Sequence, residues 1–60
     1  MHIAIVGFGK MGRQLHEAAI TGGDEVVSII DPHVADPKVT HRMLTAQALA
    51  GVDVAIDFSV

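Results

Sequence analysis

A chain of sixty residues holds one small domain at most, and it buries only about 60% of the surface its unfolded form exposes. Four basic and seven acidic residues leave a net charge of −3, which excludes a nucleic-acid binder that works by neutralising many phosphates; the lack of cysteine excludes disulfides, Cys-based zinc sites and thiol catalysis. No charge-free run approaches the roughly 18 residues of a membrane span and no signal-peptide pattern is found, so no membrane is expected and the cytoplasm is the expected compartment.

Met1 to Val6 is a β-branched apolar run that meets a turn signal at Gly7, the pattern of a buried parallel strand. Beyond Gly7 the period changes. Met11, Leu15, Ala18 and Ala19 recur at helical spacing, with Arg13, Gln14 and Glu17 between them. Gly22-Gly23 supplies the helix stop. Glu25 to Ile30 predicts a second strand, halted at Asp31-Pro32, and Val52 to Phe58 a third. Between them, Asp36-Pro37 offers one helix start; a shorter helix from Arg42 to Ala50, ended by Gly51, is favoured. The order is βαβαβ. It predicts an α/β fold, half of a doubly wound (Rossmann) parallel sheet with right-handed crossovers. Residues 1–60 then form the N-terminal part of a dinucleotide-binding domain.

Gly7-Phe8-Gly9-Lys10-Met11-Gly12 fits G-x-G-x-x-G between a predicted strand and a predicted helix, and Asp31 follows Gly12 by 19 residues, near the offset of a ribose-binding acid. Gly7 allows the tight turn, Gly9 the approach of a pyrophosphate, and Gly12 close packing of helix on strand. The amides and dipole of the helix start attract the phosphates. Lys10 and Arg13 oppose that dipole, which a bound phosphate would relieve; alternatively Arg13 pairs with Glu17 one turn on. Asp31 either holds a ribose or caps the turn at Pro32. Its charge leans towards NAD over NADP, a lean that Lys10 and His33 offset.

His2, His16, His33 and His41 show no metal-ligand spacing, so no metal is expected. Asp53 and Asp57 would sit roughly 13 Å apart along a strand, too far for an acid–base pair. Ser59 lacks a nucleophile context. No catalytic residue is assigned.

The segments Gly7 to Leu15 and Asp53 to Ser59 together resemble the N-terminal region of 4-hydroxy-tetrahydrodipicolinate reductases. That family carries a glycine loop ending in Lys/Arg-Met-Gly and a third strand ending in Ile-Asp-Phe-Ser/Thr. The resemblance implies an NAD(P)H-dependent oxidoreductase of the diaminopimelate route to lysine, passing hydride to a small cyclic dicarboxylate. It implies cofactor contacts at Gly7, Phe8, Gly9, Lys10, Met11 and Gly12, ribose contact at Asp31, and a path to the nicotinamide lined by Phe58 and Ser59. The matched loop is one residue shorter than in many members. The family's catalytic histidine pair and lysine lie in a later, substrate-binding domain that this sequence lacks. The chain is therefore expected to be inactive alone and to self-associate as a homo-oligomer through its open sheet edge. Another NAD(P)-dependent dehydrogenase, or a non-catalytic nucleotide-binding fragment, is the alternative.

Overall fold

A computed structural model describes residues 1–59. The elements run β1 (His2–Val6), α1 (Lys10–Thr21), β2 (Glu25–Ile30) and β3 (Val54–Asp57). All strands are parallel, in the spatial order β2-β1-β3. This is a small α/β fold, arranged as a partial Rossmann-like βαβ unit.

Gly12 sets the rotation of α1. A Cβ there would lie 2.2 Å from the Gly7 carbonyl oxygen, so only glycine lets the helix start touch the end of β1. From Gly12 the inward face continues through half-buried Leu15 and His16 to buried Ala19. Met11 and Ala18, expected on the apolar face, are exposed instead. Ile3, Ile5, Phe8, Ala19 and Ile29 form the core. At its C-terminus α1 closes as a Schellman motif. The Gly23 amide donates to Ile20, the Asp24 amide to Ala19, and Gly23 takes φ +86, a conformation open to glycine.

The second helix expected over Arg42 to Ala50 does not form. Residues 46–51 make turns whose amides bond three residues back: Leu49 to Ala46, Ala50 to Gln47, Val52 to Leu49. The Ala48 carbonyl accepts the buried Ser28 hydroxyl at 2.7 Å, which ties these turns to β2. The Asp36-Pro37 start also makes only a turn, with the Lys38 amide on the Asp36 carboxylate and the Val39 amide on its carbonyl. The crossover from β2 to β3 thus carries turns, which cover the sheet face opposite α1 through Ala48.

In the usual 3-2-1 half of a doubly wound sheet the third strand lies beside the second; here β3 lies beside β1. The strand order therefore reverses between β1 and β3, the kind of switch point where open α/β sheets form their ligand crevice. A register shift between Ile3 and Ala4 leaves Val27 unpaired in β2 and aligns Ser28 with Ala4. The outer edge of β2 is closed by Thr40 and His41, whose amides donate to the Ile29 carbonyl while the Thr40 hydroxyl accepts the Ile29 amide.

Candidate functional site at the carboxyl ends of the strands

The strand ends and the glycine turn enclose a cleft of about 520 Å³, lined by residues that include Gly7, Gly9, Asp31, Arg42, Phe58 and Ser59. Its volume falls in the range of small-molecule sites. Gly7 adopts φ +94, and a Cβ there would lie 2.9 Å from the Ser59 amide nitrogen and 3.0 Å from the Phe58 carbonyl carbon. The two segments that carry the family resemblance thus meet in space, though 50 residues of sequence separate Gly9 from Ser59.

The glycine turn hangs from the end of β2 by consecutive amides. Gly7 donates to the Ile30 carbonyl at 2.7 Å and Phe8 to Asp31 Oδ2 at 2.8 Å. Past Phe8 the situation changes. Gly9 is the N-cap with no side-chain cap, no acid stands in the first turn of α1, and the helical ladder opens with Arg13 donating to Gly9. The amides of Lys10, Met11 and Gly12 have no partner among the described residues, as at any uncapped helix start. A Cβ on Gly9 would meet no heavy atom within 4 Å. An open approach to a row of free amides is what a pyrophosphate requires.

Asp31 is buried, 8% exposed. Besides Phe8, its carboxylate accepts the amides of His33 and Val34 at 2.8 Å each. The Phe8, Val34 and His33 amides outweigh burial and hold its pKa at about 2. So Asp31 does cap the turn at Pro32, and it also grips the glycine loop. A carboxylate offers about four acceptor positions; three are taken by main chain, leaving room for one ribose hydroxyl.

The remaining expected contacts divide. Phe58 and Ser59 line the cleft. The Ser59 amide and hydroxyl both donate to Asp57 Oδ1 and lower the Asp57 pKa, the hydroxyl most. The Phe8 side chain is 1% exposed and belongs to the core. Gly12 is buried under Gly7, and Lys10 and Met11 stand exposed on α1, outside the cleft lining. Arg13 does not pair with Glu17. Its guanidinium lies 4.8 Å from the Phe8 ring centroid and donates to Asp36 at 2.7 Å, an ion pair that forms because the turn after Val34 brings Asp36 over α1. The Lys38 amide and then Arg13 lower the Asp36 pKa.

Sequence reasoning missed Arg42. It lines the cleft beside His33 and donates to the carbonyls of Asp31 at 3.2 Å and Val34 at 2.6 Å. A basic residue 11 positions after the acid was the available signal, but it stood inside the expected helix. A larger hollow of about 650 Å³ borders the outer flank of α1; its arginine, Arg13, is already paired with Asp36.

The chain matches no protein-family model, no curated protein and no solved structure. Among the described residues no cluster of three metal-ligating side chains occurs, and no helix is long and apolar enough to cross a membrane.

Proposed function

We propose that the chain is the NAD(P)H-binding portion of a reductase resembling 4-hydroxy-tetrahydrodipicolinate reductase, acting in the cytoplasm on the diaminopimelate route to lysine. The observation that carries this reading is the open, uncapped Gly9 turn set directly against Phe58-Ser59 at the β1/β3 switch point. The amides of Lys10, Met11 and Gly12 would hold the pyrophosphate. Asp31 would offer its remaining acceptor position to the adenosine ribose. Phe58 and Ser59 would border the path towards the nicotinamide, which when bound supplies the hydride. The dicarboxylate acceptor would need cationic groups beyond those of this cleft, so the chain alone is expected to bind cofactor without turnover.

Cofactor choice rests on the cations beside Asp31. Arg42 and His33 line the cleft on that side, and a guanidinium there suits a 2′-phosphate. Arg42→Ala is expected to weaken NADPH more than NADH, read as the ratio of the two dissociation constants; an unchanged ratio removes Arg42 from this role.

Calorimetric titration with NADH and NADPH tests the whole reading. Gly9 has φ −80 and open space at its Cβ position, so Gly9→Val leaves the fold intact while its side chain fills the phosphate approach. Loss of at least tenfold in affinity, with an unchanged circular dichroism spectrum, is expected. Unchanged affinity in a folded Gly9→Val variant sinks the assignment.

A further inference from the structure

We propose, resting on the dinucleotide reading above, that Asp31 is a positioning residue for the phosphate-binding loop, holding the glycine turn in its binding form whether or not a ribose is present. Gly7 and Phe8 are tied to the last residue of β2 and the residue after it, Gly7 through the Ile30 carbonyl and Phe8 through the Asp31 carboxylate. Only the second tie depends on a side chain. The Phe8 amide lies two residues before the first of the three free amides of the helix start, and its ring anchors the loop in the core at 1% exposure. With both its ring and its amide held, Phe8 leaves the turn at Gly9 little freedom. The other carboxylate oxygen is fixed by His33 and Val34, and Arg42 clamps the same turn from outside. One buried carboxylate thereby joins the end of β2, the turn after it and the loop that would cradle phosphate. Buried charge-assisted hydrogen bonds of this kind are the stronger ones in proteins. An acid acting only as a ribose acceptor would not need both oxygens committed to main chain before any ligand arrives.

The two roles separate with ligands that differ only in ribose hydroxyls. ADP and 2′,3′-dideoxy-ADP are titrated calorimetrically into the wild-type chain and into Asp31→Asn. Asparagine keeps one acceptor oxygen for His33 and Val34 but presents an amide group to the Phe8 N–H. Positioning predicts that both nucleotides weaken by the same factor, on the order of tenfold. It also predicts that the Phe8 amide proton resonance moves upfield while that of Val26, within β2, stays in place. A variant in which ADP weakens and dideoxy-ADP does not would overturn the proposal and leave a plain ribose acceptor. If the wild-type chain binds neither nucleotide, the dinucleotide reading itself falls. Should Asp31→Asn fail to fold, hydrogen exchange on the free wild-type chain decides: the Phe8 amide is expected to exchange well behind that of Gly9, and equal rates overturn the proposal.

Discussion

A buried carboxylate that accepts three main-chain amides is favoured in its charged form, and for Asp31 the pKa falls from 3.8 to about 2. The unfolded chain binds the proton more readily, so folding gains stability above pH 3.8 and loses it as pH falls through about 2. The contribution at neutral pH is about 2 kcal/mol. Asp31→Asn is expected to lower the urea midpoint at pH 7, and its gap from wild type should narrow towards pH 2; a constant gap would show that the charge is not what matters. The glycines predict a contrast at the same scale. Gly12→Ala forces a Cβ to 2.2 Å from the Gly7 carbonyl oxygen, main chain that cannot step aside. Overpacking of this kind costs about 1–3 kcal/mol or more, a large share of the 3–9 kcal/mol on the order of which sixty residues are stable. Gly9→Ala, with nothing within 4 Å, is expected to leave the thermal midpoint within a few degrees of wild type. The glycine spacing in the sequence pointed to these different tasks, and so did the acid near the ribose offset. The grip of Asp31 on Phe8 was not legible, because it depends on where the end of β2 stands relative to the loop.

At the scale of elements, β1, α1 and β2 follow from local pattern: an apolar run, a period change after Gly7, and a Gly-Gly stop. The bounds of β1 and β2 depart from expectation by a residue at most, while β3, Val54–Asp57, is shorter than the expected Val52 to Phe58. The crossover does not follow from local pattern. Its helical composition around Ala46 to Ala50 gives turns that are tied to the sheet by the Ser28 hydroxyl on the Ala48 carbonyl, a contact made because Val27 is left unpaired and Ser28 faces the crossover. Ser28→Ala is therefore expected to release the crossover from this anchor on β2. Stability should fall by about 1 kcal/mol, and the amide resonances of Leu49 and Val52 should shift as the turns lose that anchor. If those resonances stay fixed, the turns do not depend on Ser28.

For the molecule as a whole, the two sheet edges are treated differently. Thr40 and His41 close the edge of β2, whereas β3 ends the sheet with Val54 36% exposed. α1 lies against β1 and β2 and does not reach β3. An open strand edge beside an apolar face templates pairing with another chain, so sedimentation at rising concentration is expected to show association. Val54→Lys should return the chain to monomer at the same concentration; a wild-type chain that stays monomeric throughout would remove β3 as an interface. The sequence by itself determined the α/β class, three strand segments, one helix and the glycine turn, because periodicity and glycine placement act over a few neighbouring residues. Tertiary structure alone decided that β3 lies beside β1, that the crossover is not helical, that Arg42 enters the cleft and that Arg13 turns to Asp36. Each of these depends on residues far apart in sequence meeting through strand pairing and core packing, and no local pattern encodes which of several apolar strands will be neighbours.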